Sequence, residues 1–184
     1  MTASFISICA STQNRSRKSL EPLTTRLVFG RLTTSPKGGA YGDDNHANGD
    51  GEYISYDILD GVHVSDETLK EVLASGNRRT ILITDSMSAA GSVDGSYSIG
   101  SLEVAVINGV ARLTSNHSLA GSTLTMDKAF INFLQFNKNI VDCVFAASTL
   151  PAKTLGLHAV GELGVGKKAH ILEYRDSTIS VVTS

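Results

Sequence analysis

The sequence predicts an α/β fold on three observations: a β-branched and aromatic run ending in polar residues, a well-punctuated helix after it, and an unbroken apolar run ending in an aspartate. The first run comprises Tyr53, Ile54, Tyr56, Ile58 and Leu59 and closes at Asp60-Gly61-Val62-His63, as a strand running into a polar turn. Ser65 can cap the helix that follows, and Asp66 and Glu67 sit where the positive end of its dipole favours acids. Leu69, Val72 and Leu73 form its apolar stripe, which closes at Gly76. Thr80-Ile81-Leu82-Ile83-Thr84 suits a strand buried on both faces and terminates at Asp85. A strand-helix-strand unit makes a right-handed crossover between parallel strands, so both C-terminal ends share one edge. His63 and Asp85 are therefore expected on the edge where ligands bind in open α/β sheets and barrels.

Beyond Asp85, Ser86 to Gly91 is small and flexible, and Tyr97 to Leu113 alternates as a hairpin with Asn108-Gly109 at its turn. Leu124, Met126, Ala129, Phe130, Phe133 and Leu134 recur at helical spacing. A second helix runs from about Ile140 to Ser148 and is expected to stop before Pro151. Short β runs at His170 to Tyr174 and Ile179 to Val182 make a small β tail over 159–184, distinct from the α/β part over 54–158. Residues 1–53 read differently: a polar and basic opening, an apolar stretch at Leu27 to Phe29, then a glycine-rich run from Ser35 to Glu52 that reads as a loop. This segment is expected to be degenerate or poorly ordered, and no internal repeat is visible.

The chain has 184 residues, 41% hydrophobic, enough for one ordinary domain with a core. With 16 basic against 18 acidic residues, a formal charge of −2 gives no field that favours nucleic acid or an anionic membrane. Cys9 and Cys143 fit neither a metal spacing nor a dense disulfide framework, which favours a reducing, cytoplasmic setting. Phe5 to Ala10 is too short for a secretory signal, and no stretch approaches the ~20 apolar residues of a membrane span. Asn14-Arg15-Ser16 and Asn116-His117-Ser118 match the glycosylation sequon, which in such a setting is coincidence.

A carboxylate at Asp85 can act as general base and acid, and an imidazole at His63 can hydrogen-bond a hydroxyl or carbonyl oxygen. Taken singly, each has a plain alternative, a helix cap or turn former for Asp85 and a satisfied structural histidine for His63. Leu119-Ala120-Gly121-Ser122 precedes a helix where free backbone N–H groups can approach a ligand, or simply begins a capped helix. Gly161 to Lys168 comes within one residue of a P-loop, but Lys168 stands where a Ser or Thr hydroxyl is required and a β tail follows. Nucleotide binding is rejected. His46, His117, His158 and His170 show no zinc pairing, and Asp43, Asp44 and His46 read as a solvated loop.

Asp60-Gly61-Val62-His63, Thr84-Asp85-Ser86-Met87-Ser88-Ala89-Ala90-Gly91, Asp94-Gly95 and Leu119-Ala120-Gly121-Ser122 running into Met126 resemble, in order and spacing, the N-acetylglucosamine-6-phosphate deacetylases of the amidohydrolase superfamily. Pro151-Ala152-Lys153 with Leu155-Gly156-Leu157, and Gly161-Glu162-Leu163 with Gly166-Lys167-Lys168-Ala169, are similar to that family's closing segments, so the resemblance spans about residues 53–184. It implies the last strands and helices of a (β/α)8 barrel, with C-terminal strands of a small β domain that N-terminal strands complete. It also implies hydrolysis of the N-acetyl group of N-acetylglucosamine 6-phosphate to acetate and glucosamine 6-phosphate. In that reaction Asp85 would activate a metal-bound water and protonate the departing amine. Asp60, Gly61, Val62 and His63 would contact the sugar, and Leu119, Ala120 and Gly121 would line the same pocket.

The departures are informative too. The family holds a divalent metal, zinc or similar, through a glutamate in an N-terminal half absent from this sequence and through two histidines. Where the second histidine belongs, the closest text is Thr25-Arg26-Leu27-Val28-Phe29-Gly30-Arg31-Leu32, with Arg26 in its place, and a guanidinium cannot bind zinc. The first histidine has no counterpart near Cys9, so no metal ligand is assigned, and Pro36-Lys37-Gly38-Gly39 only echoes the phosphate-binding segment. The expectations are weak or no turnover alone, with N-acetylglucosamine 6-phosphate as the ligand, or a noncatalytic sugar-phosphate-binding or interaction fragment. Exposed strand edges would favour self-association or a complementing chain.

Overall fold

The structure, a computed structural model, describes residues 4–6, 32–34, 40–42, 55–74 and 79–183. Three short strands, β1 (Ser4–Ile6), β2 (Leu32–Thr34) and β3 (Ala40–Gly42), precede β4 (Ser55–Ile58). β3 lies inside the glycine-rich run read as loop throughout; it pairs antiparallel with β2, Thr33 opposite Tyr41. A backbone ladder needs no side-chain pattern, which is why the alternation rule passed over it. Leu27 to Phe29, Asp43, Asp44 and His46 lie outside the described residues, as do Arg26, Cys9 and Gly76.

The expected strand-helix-strand unit is present: β4, then α1 (Asp66–Ala74), then β5 (Thr80–Ile83), with β4 and β5 parallel and Ile58 opposite Ile83. Ser65 caps α1 through its side-chain oxygen, which accepts the Thr68 N–H at 3.2 Å, and Leu69 and Val72 turn inward. Ile81 and Leu82 are buried, as the continuous apolar run of β5 requires.

A three-stranded antiparallel sheet follows, β6 (Gly95–Ile99), β7 (Leu102–Ile107) and β8 (Val110–Leu113). The hairpin read over Tyr97 to Leu113 is thus two hairpins sharing β7. Asn108 and Gly109 both take left-handed φ, 52° and 74°, which matches the twist of the flanking strands. Asp94 fastens this turn, its carboxylate accepting the N–H of Asn108 and, at 3.0 Å, that of Gly109.

Helix α2 (Met126–Asn137) buries Ala129, Phe130 and Phe133. After it come α3 (Ile140–Val144), a π segment (Phe145–Thr149) and α4 (Leu150–Thr154), so the helical path continues past Pro151 instead of stopping before it. The reason is the wide turn: the Leu150 N–H reaches back five residues to the Phe145 carbonyl, and the ladder is already out of α register where proline lacks a donor. Strands β9 (Ile171–Arg175) and β10 (Thr178–Thr183) form an antiparallel sheet in the order β1-β9-β10. The main core joins Leu59, Leu69 and Leu82 to Phe130, Phe133, Cys143 and Ala146, with Leu172 and Tyr174 packed against it. The Phe130 and Tyr174 rings lie 5.9 Å apart, seating the β tail on α2.

Candidate functional site

β4 and β5 run parallel, so the polar residues following each strand leave the sheet from the same end. After β4, Asp60 and His63 close a compact turn around Gly61, whose φ of 76° is left-handed. Asp60 Oδ1 accepts the N–H of Val62 and of His63, each at 2.9 Å, while Oδ2 receives the His63 ring at Nδ1, 2.7 Å away. Both side chains are largely shielded, 15% and 12% exposed. Burial raises the Asp60 pKa, but the ring and backbone hydrogen bonds from His63 and Val62 outweigh it and hold the carboxyl below its ordinary value.

After β5, Asp85 occupies the left-handed region at φ 47° and is exposed. Partial desolvation raises its pKa, and the charge of His63 pulls it back in part, so the two groups sense each other across the strand ends. The loop before α2 is stitched to this turn by backbone. Ser122 N–H donates to the Asp85 carbonyl at 2.8 Å, and Met87 N–H donates to the Ser122 carbonyl at 2.9 Å. Ser122 Oγ donates to the Thr84 carbonyl, and Ser86 Oγ donates to the Leu124 carbonyl at 2.7 Å. Gly121, φ 65°, therefore lies directly against the Asp85 backbone.

The sequence-predicted residues thus fall into two loops. Asp60, Gly61, Val62 and His63 follow β4; Leu119, Ala120 and Gly121 reach Asp85 through Gly121 and Ser122. Ala120 turns its methyl into the small sheet with Ala89, Val104, Val106 and Ala111. A cavity of about 300 Å³ opens on the other side of the Asp60 turn, between Leu59, Asp66, Leu69, Asn132 and Phe136. The buried carboxylate of Asp57 was passed over, because its strand reads as an apolar run; the signal was an acid interrupting that run. Ser86 and Ser122 were also missed as the fasteners of the Asp85 turn. Gly161 to Lys168 forms turns closed by a Glu162–Lys167 ion pair at 2.8 Å, with β9 and not a helix after it.

Among the described residues no three of His, Cys, Asp or Glu converge as a metal site. The groups nearest to one, Asp60 and His63, bond each other. The described residues do not fit the divalent ion that the family uses, and no step is routed through it. None of the described helices is long and apolar enough to cross a membrane.

No family model matches the chain. Its relatives are deacetylases of amino-sugar phosphates by name. A protein of Escherichia coli (strain K12), provisionally named N-acetylgalactosamine-6-phosphate deacetylase, is 38% identical over 117 residues, 62% of this chain and 70% of that one. The N-acetylglucosamine-6-phosphate deacetylase of Vibrio furnissii is also 38% identical over 117 residues, 62% of this chain but 29% of that one. Among solved structures, a Mycobacterium smegmatis N-acetyl-D-glucosamine-6-phosphate deacetylase, an aspartate-to-alanine variant in complex with N-acetyl-D-glucosamine-6-phosphate, matches with a TM-score of 0.63. It is 32% identical, over 67% of this chain and 34% of that one. The chain belongs to the N-acetylglucosamine-6-phosphate deacetylase family. It spans about a third of the length of the Vibrio and Mycobacterium proteins.

Proposed function

We propose that the chain carries the sugar-facing and proton-handling part of an N-acetylglucosamine-6-phosphate deacetylase, with weak or no turnover by itself. The observation that carries this reading is the placement of His63 and Asp85 after adjacent parallel strands, close enough for His63 to lower the Asp85 pKa. On this reading β4, α1 and β5 belong to a (β/α)8 barrel, and β9 and β10 to the small β domain. The substrate is N-acetylglucosamine 6-phosphate, after the names of the relatives. His63 meets a sugar hydroxyl or the acetyl carbonyl, while Gly121 allows the loop before α2 to approach closely. Asp85 withdraws a proton from water as it attacks the acetyl carbon, then delivers it to the amine as the C–N bond breaks, leaving acetate and glucosamine 6-phosphate.

Arg26 in place of a metal-binding histidine supports weak turnover, as does the lack of a three-ligand cluster among the described residues. That same lack favours a second reading, a noncatalytic binder of the sugar phosphate. A deacetylation assay with and without added zinc tests the first, with Asp85→Asn as control. A robust rate abolished by that substitution would overturn the predicted weakness. Calorimetry with N-acetylglucosamine 6-phosphate separates the readings: binding without turnover selects the second, and no binding removes both.

A further inference from the structure

We propose that Asp60 is a positioning residue for His63, holding the imidazole in the tautomer that carries its proton on Nδ1 and leaving Nε2 as the nitrogen offered to a ligand. The family resemblance places Asp60 among the sugar contacts, yet both of its oxygens have partners within the turn. Oδ2 stands 2.7 Å from Nδ1, and an ionised carboxylate can only accept. Hydrogen bonds held below the ordinary carboxylate pKa keep Asp60 ionised, so the proton of a neutral ring must lie on Nδ1. No described residue bonds Nε2. The neutral ring then presents an acceptor lone pair suited to a sugar hydroxyl, and the protonated ring presents a donor suited to an acetyl oxygen.

The same carboxylate also shapes the turn, through Oδ1 and the two backbone N–H groups. Asp60→Asn separates these roles. An asparagine carbonyl oxygen still accepts both backbone donors, but its NH₂ cannot accept the ring proton and favours an unprotonated Nδ1.

The role assigned to Nε2 rests on the sugar-site reading, whereas the tautomer can be measured without any ligand. The experiment is ¹⁵N–¹H correlation of the His63 ring in the full chain, from about pH 6 to about pH 9 to bracket ordinary histidine titration. Spectra of the wild type and of Asp60→Asn are compared, with His63→Gln to assign the signals. The expected result is a neutral ring protonated on Nδ1 in the wild type, and at least about a tenfold shift of the tautomer ratio toward Nε2–H in Asp60→Asn, the scale of one charged hydrogen bond. A wild-type ring protonated on Nε2 would overturn the proposal, even if the variant failed to fold. So would a folded Asp60→Asn with an unchanged ratio; loss of N-acetylglucosamine 6-phosphate binding alongside would make Asp60 a direct contact. An Nδ1–H tautomer in a chain that binds no sugar phosphate would defeat the functional reading alone.

Discussion

The N–H of Ser122 donates to the carbonyl of Asp85 at 2.8 Å, so the loop before α2 and the turn after β5 move as one piece. A Cβ added at Gly121 would come 3.0 Å from that same carbonyl oxygen, at a φ of 65° that side chains resist. Gly121→Ala is expected to weaken binding of N-acetylglucosamine 6-phosphate about tenfold or more. The accompanying stability loss should be only ~1–2 kcal/mol. Calorimetry beside a denaturant titration decides it, and unchanged affinity would show that the Asp85 turn does not shape the site.

Asp85 must be ionised to take a proton, and its pKa lies above the ordinary 3.8. Any deacetylation should therefore decline as pH falls through that raised value, above where an unperturbed aspartate would switch off. Asp85→Asn should lower the rate by at least about a hundredfold and erase this acid limb. A pH–rate profile that keeps its acid limb in the variant would reassign the base.

Asp57 is 3% exposed, with one hydrogen bond from Ser55 Oγ at 2.9 Å. Burial, offset in part by that bond, pushes its carboxyl from 3.8 to about 6. Below pH ~4 the folded and unfolded chains both hold the proton, and above about 6 both have lost it. Between these values the folded chain binds more protons, so stability falls as pH rises through the window. Relative to Asp57→Asn, the wild type should lose on the order of 1–3 kcal/mol between about pH 4 and pH 7. Urea titrations of both proteins at the two ends measure it, and parallel pH dependences would place the carboxylate in a more polar setting.

Gly161 adopts φ +94°, and its carbonyl accepts both Ser148 Oγ at 3.0 Å and Thr149 Oγ1 at 2.8 Å. A Cβ there would collide with Ala152 Cβ and lie 3.1 Å from the Ser148 carbonyl oxygen. Gly161→Ala should destabilise the fold by about 2–4 kcal/mol, through strain and overpacking together. A melting temperature within a degree or two of wild type would contradict this.

β10 borders its sheet with Val181 and Val182 exposed at 70% and 51%. Such an edge recruits other strands, so the chain should self-associate at micromolar concentration, and Val181→Lys should shift it toward monomer. Sedimentation velocity reads this directly; a monomeric wild type would remove β10 as the contact.

The strand-helix-strand unit was legible because its signals are local: a capping serine, an apolar stripe and an unbroken β run. The placement of Asp85 and His63 followed from topology alone. Less could be read of how Asp85 is held, since Ser122 reaches it through backbone groups that every residue possesses. The path through Pro151 was misread because a proline marks a stop only while the ladder is in α register. β3 was invisible for a related reason, as its glycine-rich text carries no alternation.

The π segment amounts to one surplus residue absorbed within an otherwise α-helical rod. Deleting a single residue from 145–149 would let the rod close into ordinary winding, and everything beyond would swing by about 100° around its axis. Ala152 would leave its seat against Gly161, so a deletion that improves local helical geometry should unfasten the chain's final third.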